Sequence, residues 1–144
     1  MNTAVLQNIL AALRALHLLH WTAHWQVKDY QDHLLMQRLY EAISEEIDAL
    51  AEKIVALAGP AAVDLGAQME LIHEFMQSVA ESGNADVMCR ALTAEELLQN
   101  ILANGLAELR IGGKISLGMD DFIMATADAH DTAVYLLKQR CSSY

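Results

Sequence analysis

The chain has 144 residues, 54% of them hydrophobic, with seven Gly, one Pro and a formal net charge of −10. That length suits one domain, residues 1–144, with a sizeable core, and so few chain breakers suit an all-α protein. The acidic balance repels phosphate, so direct nucleic-acid binding is not expected.

The N-terminal run Met1-Asn2-Thr3-Ala4 carries no basic leader and enters a helical pattern at once, so a secretory signal is not expected. The first predicted helix covers about residues 3–27, with Leu6, Ile9, Leu13, Leu16, His20, Ala23 and Val27 on one stripe. The second covers about 31–58, with Met36, Leu39, Ile43, Ile47, Leu50, Ile54 and Leu57 inward, and Gly59-Pro60 stops it. A short helix follows at about 65–81. The third long helix is read from the capping box Thr93-Ala94-Glu95-Glu96 to about Ile111, closed by Gly112-Gly113. The fourth, about 119–140, opens on Asp120 and Asp121. Apolar stretches are interrupted by His, Arg or Asp, so no membrane span is expected. Four long amphipathic helices predict a four-helix bundle.

Cys89 and Cys141 are far apart in sequence and lack a metal-type spacing, so no disulfide is expected and a reducing cytoplasm is the expected setting. No Gly-rich phosphate loop, nucleophile elbow or C-x-x-C occurs, which argues against nucleotide, hydrolase and thiol-redox chemistry.

The residues suited to chemistry are His and acidic side chains. His17, His20 and His24 share one face of the first helix, and residues 1–28 contain no Asp or Glu, so any metal ligand from that helix is a histidine. The plainer reading of His20 is a satisfied core or interface histidine, since it sits on the apolar stripe. Glu41, Glu45, Asp48 and Glu52 form one acidic line along the second helix. Alone, such a line reads equally as a solvated face. Glu70-Leu71-Ile72-His73 is a lone E-x-x-H, where di-iron bundles need two; His73 therefore reads as a surface or interface residue. His130, on the stripe of the last helix, reads as packing. Imidazole from His24 and His33 with carboxylate from Asp48 and Glu52 is a ligand set suited to a divalent first-row metal.

In combination these segments resemble the Dps miniferritins, a ferritin-like family. His24-Trp25-Gln26-Val27 is similar to the family's H-W-N-V, and Leu39-Tyr40 with Asp48-Ala49-Leu50-Ala51-Glu52-Lys53 to its L-Y…D-x-x-A-E-R in the correct mutual spacing. Gly59-Pro60, the short helix and His130-Asp131-Thr132-Ala133-Val134-Tyr135-Leu136-Leu137 extend the likeness over nearly the whole chain.

The resemblance implies a ferritin-like four-helix bundle with a short extra helix, self-assembled into a closed homo-oligomer of twelve subunits in the cytoplasm. It implies oxidation of Fe(II) by hydrogen peroxide and storage of ferric iron. His24 and His33 of one chain would face Asp48 and Glu52 of a two-fold partner. Two departures stand against the pattern. Gln37 replaces a further Asp, and the stretch from His24 to His33 is about three residues shorter, with Asp29 in place of the turn glycine. Pairing His20 with His33 would nearly restore the spacing. These departures keep two alternatives open: a non-enzymatic shell, or a Zn- or Mn-buffering protein using the same ligands. The Lys/Arg-rich tails through which family members bind DNA are missing here; Lys138 to Tyr144 offers only Lys138 and Arg140.

Overall fold

A computed structural model of the chain describes residues 2–142; Met1, Ser143 and Tyr144, which belong to the two tails considered for DNA binding, lie outside the described residues. It contains five α-helices: α1 (Thr3–Gln26), α2 (Tyr30–Ala58), α3 (Leu65–Ala80), α4 (Val87–Gly112) and α5 (Leu117–Arg140). A 3-10 turn, Pro60–Val63, follows α2. Among the described residues there is no strand, and no helix is long and apolar enough to cross a membrane.

The long helices α1, α2, α4 and α5 form the bundle, and α3 lies against α1 and α4. α1 is the most enclosed. Leu6, Ile9, Leu10, Ala11, Ala12, Leu13, Ala15 and Leu16 are all buried, because a helix that is apolar nearly all round must be covered on several sides. It accordingly packs on α2, α3 and α4. At the crossing with α4, a Cβ on Gly105 would lie 3.1 Å from both Val5 Cγ1 and Ile9 Cδ1. α2 is one-sided: Met36, Leu39, Ile43, Leu50 and Ile54 are buried while Glu41, Glu45, Asp48 and Glu52 are exposed. Gly59, at φ 89°, ends α2 in a conformation that favours glycine.

The start of α4 differs from the sequence reading. Its N-cap is Asp86, whose carboxylate accepts hydrogen bonds from the backbone N–H of Met88 and Cys89. Those bonds, the one from Cys89 foremost, hold the Asp86 carboxyl below its usual range. Thr93 is therefore already inside the helix, and its hydroxyl donates back to the Cys89 carbonyl at 3.1 Å. An Asp followed by apolar residues is as good a start signal as a capping box, and here the earlier signal wins. α5 likewise starts earlier, at Leu117, capped by the Ser116 hydroxyl on Met119 N–H.

The cysteine expectation is corrected too. Cys89 and Cys141 form a disulfide, with their Cα atoms 4.8 Å apart. It joins the first turn of α4 to the residue after α5, and both sulfurs sit in a small apolar cluster with Ala23, Met36, Leu39, Met88, Leu92 and Leu137. The antiparallel return of α5 along α4 brings the pair together, which sequence spacing could not reveal.

The bond closes a stretch with a sequence separation of 52, so its loss should release unfolded-state entropy worth about 2–4 kcal/mol. Cys141→Ser should lower the denaturant midpoint accordingly, and dithiothreitol should lower the unsubstituted protein to the same value. Equal midpoints with and without reductant would show that the bond contributes nothing.

Candidate metal centre

Only residues 27–29 separate α1 from α2, so the last turn of one helix faces the first turn of the next. Asp29 caps α2 by accepting from Gln31 N–H. Arg140, at the end of α5, holds this corner through Asp32 at 2.6 Å and Asp29 at 3.0 Å.

The corner places His24 against His33. Their rings stack with centroids 3.6 Å apart and 21° between planes. His24 Nδ1–H donates to the His33 carbonyl, and His33 Nδ1–H donates to the His24 carbonyl, each at 2.8 Å. The His24 carbonyl is one of those that a helix C-terminus leaves unpaired, so the bond also closes α1. Because a carbonyl only accepts, both Nδ1 atoms carry protons. Among the described residues neither Nε2 has a hydrogen-bond partner, which leaves each free to meet a ligand. Metal-ligating histidines are oriented in this manner.

Asp48 and Glu52 lie on the exposed face of α2, one turn apart. At 1.5 Å rise per residue, Asp48 is about 22 Å along the helix from His33. The two pairs of candidate residues are thus separated within one chain. Among the described residues, no group of three or more His, Cys, Asp or Glu side chains is placed to hold an ion. Gln37, one turn after His33, turns its amide away and donates to Glu41 at 3.1 Å. His73 is exposed, as expected.

His20 does not join this pair. It belongs to a buried layer that crosses the bundle. His20 Nε2–H donates to Glu95 Oε1 at 2.9 Å, His130 Nδ1–H donates to Glu95 Oε2 at 2.6 Å, and His130 Nε2–H donates to Glu46 at 2.9 Å. His20 and Glu95 are fully buried, and Glu46, at 17% side-chain exposure, reaches towards solvent. Burial works against the charged form of Glu95, but hydrogen bonds from His130 and His20 outweigh it and hold the carboxyl below its usual range. Burial likewise works against a charged His130, but hydrogen bonds to Glu46 and Glu95 raise it to about 10. His130 is therefore an imidazolium with both nitrogens committed to carboxylates, not the packing residue that its stripe position suggested. The sequence reading gave Glu95 no role of its own, since it lies between Thr93 and Glu96 of the expected capping box. Its signal was available: it sits on a stripe with Leu92, Leu98 and Leu102, where an unpaired acid is not tolerated.

No family model and no curated protein matches the sequence. The fold does match solved structures. Two histidine-to-glycine mutants of the Dps protein of Listeria innocua superpose with a TM-score of 0.77 at 20% identity. The match covers 95% of this chain and 90% and 93% of theirs. The chain thus has a Dps-like, ferritin-like fold, an all-α bundle with an extra short helix.

The raised His130 has a consequence for stability. Its folded value, about 10, lies above the ordinary 6.5, so its contribution is complete below about pH 6.5 and is lost as pH climbs through 10. The difference in unfolding free energy between the protein and His130→Leu should shrink across that window. At pH 6 the variant should be destabilised by about 3–5 kcal/mol, since it leaves buried acids unpaired. Urea titrations from pH 6 to 10.5 would check this; a pH-independent difference would mean that His130 is not charged.

Proposed function

We propose that this protein is a miniferritin that oxidises Fe(II) with hydrogen peroxide at a site shared between two subunits and stores the ferric product inside a closed homo-oligomer. The observation that carries the reading is the reciprocal bonding of His24 and His33, which commits both Nδ1 protons and leaves both Nε2 atoms for a ligand. His24 and His33 of one subunit supply neutral nitrogen, and Asp48 and Glu52 of its partner supply charge. Carboxylates favour Fe(III) over Fe(II), and positions left open admit the oxidant. Two Fe(II) each give one electron to one peroxide, which takes up two protons and leaves as two waters.

Association follows from the same corner. Tyr30, 71% exposed, lies against the His33 ring, and Trp25, 63% exposed, is joined to the pair through Trp21 and Tyr40. A contiguous apolar patch of this kind marks a surface that is covered in the assembled state. A two-fold operator would carry the acidic half of α2 from one chain to the histidine half of the other, twice per dimer. Repetition of such contacts closes a shell, with twelve subunits as the proposed number. The proposed setting is the cytoplasm. There the burial of Cys89 and Cys141, at 2% and 9% exposure, would have to shield their bond from reducing thiols.

A second reading is a shell without the chemistry, or one that buffers Zn or Mn. Gln37 favours it, because its amide is spent on Glu41 where a further carboxylate ligand would stand.

Complementation separates these readings. His24→Ala/His33→Ala and Asp48→Ala/Glu52→Ala chains should each lose the fast phase of peroxide-driven ferric absorbance. Reassembled together in equal amounts, they should recover about a quarter of the sites, since half the dimers are mixed and each holds one intact site. Light scattering should report a large closed particle throughout. No recovery from intact particles would place oxidation elsewhere, and undiminished activity in either variant would exclude these ligands.

DNA binding is not part of the proposed function. At −10 per chain, assembly multiplies repulsion from phosphate. A plasmid gel-shift at low salt without Mg²⁺ should show free DNA at micromolar protein, and a salt-sensitive shift would reveal an unrecognised basic surface.

A further inference from the structure

The disulfide and the histidine pair are linked through one side chain. Cys141 follows Arg140, the last residue of α5. Arg140 donates to Asp32 at 2.6 Å, to Gln31 at 3.1 Å and to Asp29 at 3.0 Å. All three acceptors lie at the start of α2, where Asp29 caps the helix and its carbonyl accepts from His33 N–H. Cys89 and Cys141 also share an apolar cluster with Ala23, beside His24, and Met36, one turn after His33.

The last turn of a helix opens more readily than its middle, because its final carbonyls lack intrahelical partners. Arg140 and Asp29 are both partly open to solvent, and an ion pair so placed adds little by itself. This turn is tied down by the bond from Cys141 to Cys89, with the Ser142 hydroxyl donating to Asp86 at 3.0 Å beside it. Cys89 and Asp86 both belong to the start of α4. A covalent link to α4 thus fixes the residue that holds the α1–α2 corner.

We propose that Cys89 and Cys141 form a redox latch on that corner. Oxidised, the bond keeps Arg140 on Asp29 and Asp32 and the His24–His33 pair closed. Reduced, the last turn of α5 frays, Arg140 leaves, and the pair loosens.

Closing the latch consumes two thiols and one hydrogen peroxide. One thiolate attacks a peroxide oxygen, the O–O bond breaks, and a sulfenic acid and one water result once the leaving hydroxide is protonated. The second sulfur then displaces the sulfenic hydroxyl, which takes the remaining thiol proton and leaves as the second water. Each sulfur loses one electron and peroxide gains two. Opening takes a dithiol, which passes through a mixed disulfide and departs as its own cyclic disulfide. Burial slows both directions, Cys141 being the more exposed sulfur. The consequence for iron rests on the reading of His24 and His33 as ligands: peroxide would then assemble the site that uses it. The closing of the pair does not rest on that reading.

The test uses the whole protein without iron, labelled with ¹⁵N-histidine. Oxidised, His24 and His33 should each show an Nδ1–H resonance, because a bonded and sheltered proton exchanges slowly with water. Dithiothreitol should erase both while leaving His130 in place, and hydrogen peroxide added after its removal should restore them. Arg140→Gln keeps the disulfide but breaks the clamp, so it should lack both resonances even when oxidised. Cys141→Ser, or Cys89→Ser if that variant fails to fold, should match the reduced protein and ignore peroxide. Resonances unmoved by reduction, or an Arg140→Gln protein that still gains and loses them with the disulfide, would overturn the proposal. Anaerobic Fe(II) affinity should fall about tenfold on reduction, as for a competent arrangement populated a tenth of the time. A pair that opens with Fe(II) affinity unchanged would support the latch and tell against the iron ligands.

Discussion

The layer His20–Glu95–His130–Glu46 is the constraint around which this bundle is arranged. It draws one side chain from each of α1, α2, α4 and α5, so no two of these helices can slide without stranding a buried charge. The apolar core divides at this level. Leu16 and Leu98 belong to the larger cluster, whereas Ala23, Leu92 and Ala133 belong to the smaller. His20, Glu95 and His130 lie between them along their helices. Such a layer adds little net stability relative to apolar residues of the same size, because desolvation offsets the attraction. Its effect is on register: a shift of one turn would leave Glu95 buried without a donor.

Register in turn positions the ends of the helices. The smaller cluster, with its disulfide, fills one end of the bundle below the layer. Arg140 leaves α5 at that end and clamps the α1–α2 corner. The stacked histidines are a product of that corner. With only three residues between the helices the two rings lie face to face, and each donates to the carbonyl of the other histidine. Orientation of His24 and His33 is therefore a result of chain geometry, independent of any bound ion.

The proposed ligands His33 and Asp48, both on α2, explain why assembly and chemistry belong to one proposal. A straight helix keeps His33 and Asp48 about four turns apart, and folding cannot shorten that distance. Convergence requires a second copy, and the uncovered aromatic surface lies beside the histidine half.

Helix identity was legible in the sequence because amphipathic period and apolar spacing are local quantities. All five helices, the Gly59-Pro60 stop and one inward stripe of α1 could be read that way, while the acidic line with Asp48 and Glu52 left its role open. The pairing of His24 with His33 was readable only as a resemblance. What the sequence could not carry were the relations between helices. Cys89 and Cys141 looked unrelated because their proximity depends on α5 running back along α4. Glu95 had no visible role because its partners, His20 and His130, are 75 and 35 residues away. Gln37 could be seen to replace an acid, but not to bond Glu41. Spacing along one helix is set by the backbone and survives in any context. Which histidine meets which carboxylate depends on how four helices pack, and only the tertiary structure decides that.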